Sequence, residues 1–302
     1  MPTLDLNDLK RVPDLTEPPR RVISLVPSMT ESLFALGFGA SVVGVTEYCI
    51  HPADKVAWLP KLGGTKNPDI TRIAALKPDL VMVNQEENTE AAVAALLAAG
   101  VRVWMTFPQT VDQAIDDLRA LLAVYHSDKP ALHINSLQMA LDWARAATTD
   151  QPPVRYFCPI WQQGEGLDMW WMTFNKNTYM DDLLAVFGGQ NVFAEREKRE
   201  PLDADLGRAE GRPADGDRRY PRVSQQEVIE AMPDLILLPS EPFVFTAQHL
   251  DPLRNLLAFT PAVKSNNLRL VDGTLLTWPG ARLGRALQEL PALFPPTTDD
   301  GL

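Results

Sequence analysis

Two stretches of this chain repeat each other at an offset of 155 residues: residues 72–86, RIAALKPDLVMVNQE, and residues 227–241, EVIEAMPDLILLPSE, align without a gap. Each reads as the end of a helix, a Pro-Asp-Leu turn, an apolar strand and a final glutamate. Such an echo is duplication of a supersecondary unit and not a short solenoid repeat, so it confines the chain to two related α/β halves. It also has a positional consequence. Glu86 and Glu241 fall just past the carboxyl ends of equivalent strands, where open α/β sheets place their ligands.

The surroundings of both copies continue the alternation. Residues 21–26, RVISLV, form a short apolar run of buried-strand type that Pro27 ends. Ser28 and Glu31 then give the S-x-x-E spacing of a capping box, opening a helix with Leu33, Phe34 and Leu36 that stops at Gly37. A strand over 41–45, a helix over 70–76, a strand over 80–83, a helix over 89–99 closed by Gly100 and a strand over 101–105 follow. In the second half, strands are predicted at 154–158, 235–238 and 268–271. Helices are predicted at 179–187, ending at Gly188-Gly189, and at 225–231, 250–258 and 281–290. This spacing predicts an α/β fold of two lobes, each with a central parallel sheet flanked by helices.

Between the halves, Leu118, Leu121, Leu122 and Tyr125 fall at helical spacing, and after a break at 127–130 the pattern resumes with Leu132, Leu137, Leu141 and Trp143. The expected organisation is a leader over 1–20, an N-lobe over 21–109, a long connecting helical segment over 110–149 and a C-lobe over 150–302. A single helical crossing predicts a cleft between the lobes, the usual place for a small ligand. Residues 195–222, highly charged and rich in Gly and Pro, read as a solvated loop.

Composition narrows the partners. With 28 basic against 39 acidic residues the net charge is −11, which argues against nucleic acid and suits a cationic ligand. Cys49 and Cys158 give no disulfide framework. The N-terminal stretch lacks the apolar run of a signal peptide, and no later run approaches the roughly 18 apolar residues of a membrane span. As written the chain is expected in the cytoplasm, as a monomer, and in the periplasm or at the surface if an export signal has been removed.

An enzymatic site is hard to build. There is no G-x-S-x-G elbow, no P-loop and no G-x-G-x-x-G after a strand, and His51, His126, His133 and His249 are scattered. The expectation is binding without catalysis. Glu86 and Glu241 are candidate pocket residues by symmetry; two desolvated carboxylates repel unless a cation lies between them, which points to a basic ligand or a metal complex. Tyr48, Cys49 and His51, within four residues, offer soft and borderline ligands to a transition metal. The alternative is that His51-Pro52 starts a turn and Cys49 packs inward. Trp161, Trp170, Trp171, Phe174 and Trp278 concentrate in the second half. Flat rings stack on planar ligands and face cations, and Trp161 and Trp278, in loops after predicted strands, are the candidates for the cleft. Of the adjacent pair Trp170 and Trp171, one is expected inside.

Several motifs, in order, carry a family resemblance: RVISLVPSMTESLFALG, VVGVTEYCIHP, GGTKNPDITRIAALKPDLVMV, the long helical segment, MTFNKNTYMDDLLAVFGGQNVF, YPRVSQQEVIEAMPDLILL and LLTWPGARLGRAL. Together they resemble the cobalamin-binding proteins of ABC importers and, more broadly, the helical-backbone metal receptor superfamily, over roughly residues 21–290. The resemblance implies two lobes joined by a rigid helix that clasp cobalamin, haem, an iron siderophore or a metal ion, with small hinge motion. It implies that Tyr48 lines the cleft. The positions similar to two N-lobe tryptophans of cobalamin binders hold Thr65 and Asn84. Arg282, where the family's C-lobe turns onto its last helix, is implied either to meet an anionic group or to brace its loop. Members that dock on an ABC permease present an acid on each lobe. The corresponding N-lobe position lies near Asp69 and Thr71, and residues 277–282 contain no acid.

Overall fold

The computed structural model describes residues 6–294. The chain divides into two units: the first takes the residues up to Pro108 with 112–139 and 278–283, the second takes 109–111, 140–277 and the residues from 284 onward.

In the first unit the strands β1 (Val22–Ser24), β2 (Val42–Val45), β3 (Leu80–Asn84) and β4 (Val103–Thr106) form a parallel sheet in the order β2-β1-β3-β4. All five residues of β3, LVMVN, are buried, as a central parallel strand covered on both faces requires. Ile23, Leu62, Ile73, Val81, Val93 and Val103 pack into one core. At about 1.5–3 kcal/mol for each large aliphatic side chain, this burial is the main stabilising term of the unit.

The second unit contains β5 (Val154–Phe157), β6 (Trp161–Gln163), β7 (Trp170–Met172), β8 (Gly189–Asn191), β9 (Arg199–Glu200), β10 (Arg212–Pro213), β11 (Arg222–Ser224), β12 (Leu235–Pro239) and β13 (Leu268–Val271). Its parallel sheet has the order β13-β12-β5-β8. Read from the other edge, that is the connectivity of the first sheet, with β12 in the place of β3. The repeat in the sequence is therefore a repeat of sheet topology. Inserted beside it are an antiparallel sheet, β11-β7-β6, and the short β9-β10 pair. Trp171, fully buried, packs with Phe157 and Val223 in the core, whereas its neighbour Trp170 is half-buried.

Three local expectations change. The helical stretch after residue 110 is two helices, Val111–Val124 and Ala131–Thr148, separated by a turn in which His126 has φ 47°; the boundary between the units falls inside the second. Ser28 does not cap a helix. Pro27–Ala35 begins at Pro27 with Val26 at the N-cap and no side-chain cap, and the Glu31 carboxylate instead binds Arg282. Proline at the first position needs no donor there, which explains the early start.

Residues 195–222 are largely exposed, as expected, but they are not a structureless loop. The side chain of Asp205 is fully buried, and its oxygens accept the backbone N–H of Arg199 and of Arg222, both at 2.9 Å, and Nε of Arg222 at 2.7 Å. Nη1 of Arg196 lies 3.2 Å away. A buried carboxylate persists only with such partners, so Asp205, Arg196 and Arg222 tie this stretch together at β9 and β11, while most of its other charges remain exposed.

Candidate functional site

Each unit presents candidate side chains at the carboxyl ends of its parallel sheet. In the first unit, the loop after β2 carries Tyr48, 61% exposed. Gly64 lies against it: a Cβ there would come 3.4 Å from the Tyr48 ring, ordinary contact, and 2.5 Å from the end of the Asn67 side chain, which would have to move. The loop is tied down on both sides: Glu47 N–H donates to the Gly63 carbonyl at 3.0 Å, and Lys61 Nζ to the Cys49 carbonyl at 3.1 Å.

Beyond β3, Asn84 and Asn88 organise the loop that bears Glu86. The Asn84 Oδ1 accepts the Glu86 N–H at 2.8 Å, the Asn88 Oδ1 accepts the Asn84 N–H at 2.8 Å, and the Asn88 Nδ2 donates to the Thr65 carbonyl at 2.7 Å. Asn84 and Thr65 are thus parts of the loop's framework. Glu86 is exposed, and Lys66 Nζ donates to its carbonyl oxygen.

Cys49 and His51 do not form a metal site here. Cys49 is fully buried, with Thr30 Oγ1 donating to its sulfur at 3.2 Å and Thr46 Oγ1 within hydrogen-bond distance of it at 3.1 Å. Burial pushes its thiol up, only partly offset by those hydrogen bonds, so the thiolate needed for ligation is disfavoured. The inward-packing alternative holds. His51 lies edge-on to Trp278, with ring centroids 5.8 Å apart. Among the described residues no group of three or more His, Cys, Asp or Glu is arranged to hold a metal ion.

Trp278 and Arg282 change role as well. Trp278 is 6% and Arg282 3% exposed. The Arg282 guanidinium sits 4.7 Å from the Trp278 ring centroid and makes a two-pronged contact with Glu31, 2.7 Å to each oxygen. Of the two roles implied for Arg282, bracing is the one its contacts serve, and Trp278 is its packing surface.

In the second unit, Trp161 is the first residue of β6, not a loop residue, and is 43% exposed. Its ring meets Phe243 edge-to-face at 5.6 Å; Phe243 lies 4.7 Å from Phe245, and His249 lies 5.5 Å from each phenylalanine. Phe243 and Phe245 follow the carboxyl end of β12, and His249 is in the first turn of helix Ala247–Leu256. The sequence reading missed these three. No periodic signal announces them: Phe245 N–H donates to the Phe243 carbonyl at 3.0 Å, so the two rings are brought together by a tight turn at Val244. Glu241 stands two residues past β12, as Glu86 stands two residues past β3. Unlike Glu86 it is half-buried, and Thr277 Oγ1 donates to its Oε1. A Cβ at Gly273 would come within 2.5 Å of the Glu241 nitrogen, so glycine is required beneath it.

Among the described residues no helix is long and apolar enough to cross a membrane. The profile of the family described as periplasmic binding protein matches residues 22–273. The vitamin B12-binding protein of Vibrio cholerae is 25% identical over 235 residues, 77% of this chain and 72% of its own. That of Photorhabdus laumondii is 26% identical over 227 residues, 73% and 70%. Among solved structures, the periplasmic vitamin B12 binding protein BtuF of Vibrio cholerae aligns with a TM-score of 0.70 at 23% identity, over 91% of this chain and 96% of that one. The periplasmic heme-binding protein RhuT of Roseiflexus sp. RS-1 aligns at 0.69 and 24%, over 91% and 97%. At those identities the structural likeness speaks for the fold alone; the family match spans most of the sequence, and the chain belongs to the periplasmic binding protein family.

Proposed function

We propose that this protein is the ligand-binding component of an ABC-type importer and acts by binding, without catalysis, on a compact metal complex: a corrinoid, a haem or an iron siderophore. The observation that carries the reading is the exposed Trp161 ring beside the half-buried Phe243 and His249, backed by Phe245 in the core, at the carboxyl end of the second unit's sheet. Large rings with an exposed face stack on flat ligands and attract cations. Tyr48 and Glu86 in the first unit and Trp161 and Glu241 in the second are the proposed contact residues, at the strand ends where α/β sheets receive ligands. Support for the ligand class comes from relatives named for vitamin B12 and from structural neighbours named for vitamin B12 and heme. The partner this reading calls for is an ABC permease.

The test is a fluorescence titration of the purified chain with cyanocobalamin, with haemin and with a ferric hydroxamate siderophore. At least one should quench tryptophan emission with a Kd of roughly micromolar or below, and Trp161→Ala should weaken it about tenfold, equivalent to about 1.4 kcal/mol of lost stacking and contact. Binding by none of the three sinks the ligand class. Conversion of the bound compound would replace the receptor with an enzyme, and tight binding with no permease association would leave a sensor, scavenger or chaperone.

A further inference from the structure

The ring cluster contains one polar group whose chemistry is fixed by its own helix. His249 occupies the third position of helix Ala247–Leu256, and its Nδ1 accepts the backbone N–H of Thr246 at 2.9 Å. That is the place of a glutamate or glutamine in a capping box. The Thr246 hydroxyl lies 3.2 Å from the same nitrogen. A nitrogen that accepts a hydrogen bond carries no proton, so the neutral ring has its proton on Nε2. Phe243 and Phe245 hold the ring edge-to-face, at interplanar angles of 76° and 73°. Turning it over would set a carbon against the Thr246 N–H and abandon the cap. Among the described residues Nε2 has no hydrogen-bond partner of its own.

We infer that His249 is a specificity residue that offers an Nε2–H donor to a carbonyl, amide or carboxylate oxygen on the rim of a flat ligand stacked at Trp161, and that it is not a ligand to the metal. This rests on the ligand class proposed above and sharpens it. An open metal centre would need the Nε2 lone pair. Supplying it moves the proton to Nδ1, where it would face the Thr246 N–H, donor against donor. A rim acceptor needs no such rearrangement. The second unit therefore selects for the periphery of a tetrapyrrole or corrin, and metal-free and metal-loaded macrocycles with the same rim are equivalent to it.

Two substitutions separate the two duties of this side chain. In His249→Gln the amide oxygen can accept the Thr246 N–H while the amide nitrogen donates. In His249→Glu the cap acceptor is kept and the donor is replaced by an anionic acceptor. Both variants forfeit the same ring packing and should therefore melt together, which establishes that the cap is equally intact in both. Affinities are then measured for cyanocobalamin, haemin and metal-free protoporphyrin. Both variants lose the ring, so the comparison is between them: we expect the Glu variant to bind about tenfold more weakly than the Gln variant, the scale of one hydrogen bond to a rim acceptor. The difference should be equal for haemin and metal-free protoporphyrin, and the haemin absorption band should be unchanged in the Gln variant. A Glu variant that binds every probe as the Gln variant does overturns the inference, as does a haemin band that shifts in the Gln variant. Failure of the wild type to bind any probe removes the ligand class itself, and this inference with it.

Discussion

Asp205→Ala tests whether the charged stretch 195–222 is architecture. The carboxylate is 0% exposed and serves the backbone N–H of Arg199, the backbone N–H and Nε of Arg222, and Nη1 of Arg196. Alanine strands two backbone donors and deprives two largely covered guanidinium groups of a counter-charge. Removing one member of a buried ion pair costs about 3–5 kcal/mol, and each abandoned buried N–H about 1–3 kcal/mol. These overlap, and Arg196 keeps Glu227 at 3.3 Å, so the expected loss is about 3–4 kcal/mol. The effect should reach Trp161, because Arg222 pairs with Met172 and Met172 pairs with Trp161 across adjacent strands. A chain of two units does not license a single unfolding free energy, so the assay is residue-resolved hydrogen exchange with a denaturant titration beside it. The amides of Arg199 and Arg222 should lose protection, and the second unit should unfold at lower denaturant. Unchanged protection at both amides, with an unmoved midpoint, would return this stretch to the status of a solvated loop.

Two further outcomes follow from buried charge in the first unit. Burial, with Asp116 beside it, raises the pKa of Asp117 from 3.8 to about 7. The folded state therefore holds its proton more tightly, and stability should fall as pH rises from about 4 to about 7 and level off above. Since Asp117 is half-buried, the penalty is discounted from the roughly 4 kcal/mol that so large a shift represents to about 2 kcal/mol. Asp117→Asn should accordingly melt above wild type at pH 8 and with it at pH 4; an equal difference at both pH values would refute the burial argument. Arg282→Ala should cost about 3–5 kcal/mol by stranding Glu31, and Arg282→Lys should recover less than half because the two-pronged geometry is lost. A loss below about 1 kcal/mol in a denaturant titration would mean that the pair behaves as an exposed one.

What could be read from the sequence was local. The repeat at an offset of 155 placed β3 and β12 in register with each other, and Glu86 and Glu241 at equivalent distances past them, because an apolar run bounded by turn residues states its own conformation. Thr89 caps helix Glu90–Ala98 and Gly100 takes φ 74° just beyond it, each within a few residues of the signal that announces it. The family was legible for the same reason, as an ordered series of short motifs.

The partners of side chains were decided only by the tertiary structure. Glu31 has the spacing of a capping residue, yet it binds Arg282, 251 positions away, because the helix starts at Pro27 and leaves Ser28 inside it, with no capping box to complete. Asp205 sits among charges that read as solvent-loving until folding closes Arg196 and Arg222 over its carboxylate. Trp278 and Arg282 cover each other, while Trp161 meets Phe243 and, beyond it, His249, which no spacing connects. Hydrophobic period and turn chemistry act over one or two turns of chain and survive in the sequence. Burial and hydrogen-bond partnership are properties of surfaces brought together from distant positions, and they exist only once the chain has folded.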